Sequence, residues 1–82
     1  MATITIVEEA NLHFYEGNSD KVYHASIQEK GEGYVVFFSY GRRGGHMTEG
    51  YKIDFPVPLS AAKEVFDKLI NSKLKKGYSH VR

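Results

Sequence analysis

Polar and apolar residues alternate with period two through Thr3-Ile4-Thr5-Ile6, and Leu12 and Phe14 resume the alternation after Glu8 and Glu9. That pattern predicts one or two strands in the first fifteen residues. Gly17-Asn18-Ser19-Asp20 interrupts it with residues that tolerate positive φ or bond back to nearby backbone, and so reads as a turn. A further strand, about Lys21 to Glu29, places Tyr23, Ala25 and Ile27 on one side and His24, Ser26 and Gln28 on the other, the signature of a half-buried antiparallel strand. Lys30-Gly31-Glu32-Gly33 is a connection of hairpin length. The next strand, Tyr34 to Tyr40, is apolar on both faces, with Val35 and Phe37 pointing one way and Tyr34, Val36 and Phe38 the other. Such a strand belongs in the middle of a sheet covered on both sides.

Beyond a glycine-rich connection, Tyr51, Ile53 and Phe55 alternate with Lys52 and Asp54, and Pro56 and Pro58 close that strand. From about Leu59 the period changes: Leu59, Ala62, Phe66, Leu69 and Ile70 share one helical face, with Val65 and Leu74 at its margins. Ser60 is the candidate cap, with Pro58 or Leu59 as alternative first residues of the helix. Lys73, Lys75 and Lys76 gather where the helix dipole favours cations, with a phosphate contact as the alternative reading, and Gly77 suits the left-handed residue that ends the helix. The order of elements predicts an α+β fold, an antiparallel four- or five-stranded sheet with one C-terminal helix packed on one face. A helix of roughly 16 residues, about 24 Å, covers one face only. Phe38, Val36 and Val22 are then expected on the other face, under the N-terminal segment, under Tyr78 and Val81, or under another molecule.

Eighty-two residues suffice for a single domain, 1–82, with one small core. A hydrophobic fraction of 41% and a charged fraction of 26% describe an ordinary globular chain. The absence of cysteine removes disulfide, thiolate and zinc-thiolate chemistry together. The start of the chain lacks a basic segment followed by an apolar run, and no window approaches eighteen apolar residues, so a cytoplasmic protein with no membrane partner is expected. The net charge is only +1, but it is unevenly spread: residues 1–41 carry two lysines against six carboxylates, and residues 42–82 carry nine cations against four. A basic side able to meet phosphate is one consequence, and ordinary solvated surface charge is the other reading.

The chain's candidate chemistry sits between Val35 and Gly50, where an apolar strand runs into Tyr40, Gly41, Arg42, Arg43, Gly44 and Gly45. Two guanidinium forks on a glycine-flanked turn suit bidentate phosphate contact, and an adjacent tyrosine offers a π-face to a sugar or an unstacked base. His46 and Lys52 are neighbours in sequence able to join such a site. A plain hairpin, with Arg42 paired to Glu49 or another acid and Tyr40 in the core, explains the same residues, and so does a protein contact. His13, His24, His46 and His80 are too scattered for a metal set. No nucleophile elbow or phosphate-binding Gly-Lys-Ser/Thr loop is present, so neither an enzyme nor a cofactor is expected.

In that register the chain resembles the WGR domain, a module named for a Trp-Gly-Arg triplet and found in DNA-dependent poly(ADP-ribose) polymerases and in short bacterial proteins. The residues that carry the resemblance are Leu12-His13-Phe14, Gly17 through Tyr23, Gly33-Tyr34-Val35-Val36, Tyr40-Gly41-Arg42, Ala61-Ala62, Phe66 through Ile70, Lys73 and Lys76-Gly77-Tyr78. The resemblance implies a sheet with one helix and, from the polymerases, a role near DNA strand breaks, with the triplet's ring on a sugar at a DNA end and its arginine joining DNA to other domains. Tyr40, Gly41 and Arg42 match the triplet. Tyr40 brings a smaller ring and a hydroxyl, and Arg43 adds a charge where an aliphatic residue is common. A bare module like the bacterial versions is implied, non-enzymatic and binding nucleic acid, DNA in preference to RNA, through Tyr40, Gly41, Arg42, Arg43, His46 and Lys52. The alternative is a protein-interaction or homodimerisation module using the second face of the sheet.

Overall fold

The structure, a computed structural model, describes residues 5–81; the expected alternation at Thr3 and Ile4 lies outside them. Four long strands, β1 (Ile6–Glu16), β2 (Ser19–Lys30), β3 (Gly33–Arg42) and β4 (Met47–Val57), precede one helix, α1 (Leu59–Lys75), and a two-residue strand, β5 (Ser79–His80). The five strands form one antiparallel sheet in the order β4-β3-β2-β1-β5. Both tight hairpins put glycine first in a two-residue loop: Gly17 (φ 57°) joins β1 to β2 and Gly31 (φ 59°) joins β2 to β3. A side chain at that φ would clash with its own backbone, whereas the glycine lets the loop twist with the strands.

The helix buries Ala62, Phe66 and Ile70 against Leu12, Ala25, Ile27, Val36 and Ile53. Their spacing of four residues aligns them on one stripe that runs across the sheet. Pro58 is the residue preceding the helix, and no side chain caps it, so Ser60 lies inside the first turn rather than before it. The pyrrolidine's fixed φ (−58°) suits the last extended residue before a helix.

The cross-strand register corrects one expectation. Ala25 faces Phe38 and Ile27 faces Val36, so Val36 and Phe38 stand on the helix side. Val35 and Phe37, with Val22, occupy the other side. The strand is apolar on both faces, and alternation alone cannot say which face meets the helix; only the partner residues on β2 decide it. Tyr78 also packs against the helix-side core and does not cover the second face. On that second face Val35 is buried, Phe37 meets Tyr51 edge-on at 5.2 Å, and Gln28 donates to the Ser26 hydroxyl at 3.0 Å. Val81 is half exposed, and its backbone N–H donates to the Asn11 carbonyl at 2.8 Å, extending the edge formed by β5.

Candidate functional site

On the helix side of the sheet, Tyr23 of β2 lies directly across from Tyr40 of β3, and Phe38 stands two residues back on β3. Their rings form a shelf: Tyr23 and Tyr40 are 5.7 Å apart and tilted by 13°, Phe38 and Tyr40 are 5.9 Å apart and tilted by 21°. Position 50 on β4 must be glycine for this arrangement. A Cβ there would approach the Phe38 Cζ to 2.8 Å, so the ring lies where a side chain would otherwise be.

The end of α1 closes one wall. Gly77 adopts φ 109°; its N–H donates to the Leu74 carbonyl and that of Tyr78 to the Lys73 carbonyl, both at 3.1 Å. This double bond pattern, with a left-handed residue after the cap, reverses the chain and satisfies carbonyls the helix leaves unpaired. It also folds Tyr78 back onto Phe14, at 5.5 Å, and edge-on to Tyr23, at 6.2 Å. One turn earlier, the Lys73 ammonium sits 4.7 Å above the Tyr23 ring. The Lys52 ammonium lies 5.5 Å above Phe38. Lys52 reaches that side because β4 has an extra residue there: Val36 pairs with Ile53 and the next residue, Phe37, with Tyr51. A bulge re-aims side chains in this way.

Rings and ammonium groups together bound a cleft of about 580 Å³, and Asn18 of the β1–β2 turn with Ser19, Asp20 and Lys21 at the start of β2 forms its far wall. Burial pushes the Tyr23 hydroxyl up to about 12, with Tyr40 and Tyr78 adding to the effect, so it stays a neutral donor. Burial, followed by repulsion from Lys76 and Lys52, holds the Lys73 ammonium below its usual range. Among the described residues, Arg42, Lys52 and Lys73 form no ion pair, whereas Lys63 and Lys68 on the helix pair with Glu8 and Glu64. The basic half of the sequence is therefore partly neutralised along the helix and at Arg43, while Arg42, Lys52 and Lys73 at the cleft stay out of ion pairs; the Asp20 carboxylate in the cleft wall is engaged elsewhere.

Of the residues singled out from sequence, Tyr40, Gly41, Arg42 and Lys52 line this cleft. Tyr40 is 42% exposed, so it is not a core residue, and Arg42 is exposed with no bond to Glu49. Gly41 allows the β3–β4 turn to close, since a Cβ there would collide with the His46 carbonyl. Arg43 and His46 are not brought in. The Arg43 backbone N–H donates to the Asp20 carbonyl at 2.9 Å, and its Nε lies 3.3 Å from Oδ2 of Asp20. The His13 Nε2–H donates to the other carboxylate oxygen at 2.5 Å and is the main reason the Asp20 carboxyl is held below its usual range, with Arg43 adding to it. His46 is exposed on the loop beyond the cleft.

Tyr23, Phe38 and Tyr78 are not among the site residues the sequence points to, and Lys73 is read there first as a helix-end cation. Periodicity marks the first two as core, the helix dipole accounts for Lys73, and only the glycine reversal at residue 77 signals that Lys73 and Tyr78 return to the sheet. No three His, Asp or Glu side chains gather as a metal-ligand set among the described residues, and no described helix is long and apolar enough to cross a membrane. Neither a curated protein nor a solved structure matches the chain. The family model of the WGR domain matches residues 8–82, which takes in β1 from its third residue, the other four strands, the helix and all the cleft residues. On that match, the chain belongs to the WGR domain family.

Proposed function

We propose that this WGR domain is a non-enzymatic module that binds nucleic acid, DNA ends or nicks in preference to RNA, through the cleft beside Tyr40, Gly41 and Arg42. The observation that carries the reading is the gathering of Arg42, Lys52 and Lys73, none in an ion pair, around an aromatic shelf, with the Asp20 carboxylate of the cleft wall already engaged by His13 and Arg43. Unpaired cations there have no ion pair to break when phosphate replaces water, and the ring face accepts a sugar or base. Arg43 and His46 take no part in this form of the proposal, because Arg43 is engaged by Asp20. Few phosphates are contacted, so binding is expected at micromolar affinity or weaker and to fall with salt in proportion to that small number. The setting proposed is cytoplasmic, on the cysteine-free composition.

The test is a titration of labelled nicked and blunt duplex at two salt concentrations, with wild type and with Arg42→Ala/Lys52→Ala. Loss of affinity and a shallower salt dependence in the double variant are the expected outcome. Equal binding by both proteins removes the site. A second reading, protein contact or homodimerisation through the other face of the sheet, is favoured by Tyr15 and Tyr51, which stand there 71% and 49% exposed. A dimer in sedimentation equilibrium, together with no binding to either duplex, would select it.

A further inference from the structure

The cleft differs from a simple phosphate-backbone track in one respect: its cations converge on a concavity instead of lining a groove. The faces of Tyr23 and Phe38 are each occupied by an ammonium group, at 4.7 and 5.5 Å. Tyr40 is the member of the shelf with open ring surface. Lys73 and Lys52 line the same cleft and repel one another, and neither forms an ion pair among the described residues; the Asp20 carboxylate in the far wall is engaged by His13 and Arg43. One anion placed between them would relieve that repulsion. Asn18 and Ser19 line the wall across the cleft, beside Asp20 and Lys21; an amide and a hydroxyl can both donate and accept at the edge of a base.

Resting on the nucleic-acid reading above, we propose that this cleft is a pocket for one unpaired nucleotide, its base stacked on Tyr40 and its phosphate between Lys73 and Lys52. The volume, about 580 Å³, falls within the roughly 300–1,000 Å³ of small-ligand sites. A volume of that size suits one nucleotide rather than a base pair with both of its backbones. Extruding a paired base costs a few kcal/mol, whereas an overhanging or free nucleotide needs no extrusion. The pocket therefore selects the unpaired form, either at the end of a strand or as a free nucleoside phosphate.

The experiment compares, by fluorescence anisotropy, a blunt duplex with the same duplex carrying a three-nucleotide overhang, using wild type, Tyr40→Leu and Lys73→Gln. Adenosine 5′-monophosphate, adenosine and inorganic phosphate serve as competitors. Circular dichroism confirms that each variant is folded, and both positions are accessible enough to tolerate the change. The overhang is expected to bind about tenfold more tightly than the blunt duplex, the effect of stacking one base. Each variant should reduce that preference toward unity, and the monophosphate should displace the duplex better than adenosine or phosphate alone. Displacement at concentrations matching the overhang's own affinity identifies a free nucleotide as the ligand; much weaker displacement identifies a strand end. If blunt and overhanging duplexes bind equally and the monophosphate does not compete, the pocket is refuted while nucleic-acid binding stands. If no probe binds, both fail together.

Discussion

The helix side of the sheet has two ends that share the same strands and are finished in opposite ways. At one end Ile27, Val36 and Ile53 are sealed by Ala62, Phe66 and Ile70, all buried. At the other, Tyr23, Phe38 and Tyr40 continue the same rows of the sheet, but the helix stops at Lys75 and what lies over the rings is lysine. The sheet outruns its helix. Where apolar side chains reach, the two layers close into a core; where they do not, long amphipathic side chains cover the rings with their stems and hold charge at the opening. Stability is concentrated at the first end and unsatisfied binding capacity at the second.

The sharpest way to break this comparison is to truncate one ring at each end. Phe66→Ala should cost about 3–5 kcal/mol in urea denaturation, since it empties the centre of the core. Tyr40→Ala should cost about 1 kcal/mol or less, because nearly half its surface is already in water. Comparable losses would make Tyr40 part of the core and leave no separate cleft.

Gly77→Ala tests whether the two ends are joined through the helix terminus. At φ 109° a Cβ is strained, and it would also lie 2.9 Å from the Phe14 ring. A loss of about 1–3 kcal/mol is expected, together with weaker nucleic-acid binding, because the same reversal holds Tyr78 and Lys73 over Tyr23. Weaker stability with unchanged binding would separate the terminus from the site.

The core end was largely legible from the chain, and the cleft end only in part. Two-residue alternation and the spacing of Ala62, Phe66 and Ile70 suffice for the strands and helix because burial on one face is a local, periodic property. The first turn of β4, from Met47 to Gly50, is too polar to read as a strand and is held there by pairing with β3. Which side of β3 meets the helix is set by register, which no periodicity contains. The fates of Arg42 and Arg43 are set by Asp20, more than twenty positions away in sequence and delivered by the β1–β2 turn. Lys73 satisfies the helix dipole and also stands on a tyrosine, and the first role hides the second.

Those two adjacent arginines provide the next contrast. Arg42→Ala should weaken binding to duplex several-fold and lower the slope of log affinity against log salt by about one, whereas Arg43→Ala should leave both near wild type. The effect of Arg43 should appear in acid instead. The Asp20 carboxyl is held below its usual range, by the His13 hydrogen bond first and by Arg43 as well. Its contribution to stability is present above the unfolded value near 3.8 and is lost as pH falls through the lower folded value. Asp20→Asn should flatten that acid limb in pH-dependent denaturation. An unchanged limb would mean that the His13–Asp20–Arg43 cluster holds no ionised carboxylate in solution.

The smallest effect expected is the most telling about the cleft. Burial and neighbouring lysines lower the proton affinity of Lys73 in the folded chain. The unfolded chain therefore holds more protons in the alkaline range, and stability should climb as pH rises through the folded value toward the ordinary 10.5. Lys73→Met keeps the stem over Tyr23 and removes the charge. It should abolish that alkaline gain and raise stability at neutral pH by about 0.5 kcal/mol or less, while weakening nucleic-acid binding. A residue whose removal stabilises the fold and harms binding is retained for its charge. Should Lys73→Met instead lower stability and leave binding intact, the ammonium over Tyr23 is a structural cation–π contact, and the two ends of the sheet differ only in the chemistry of their cover.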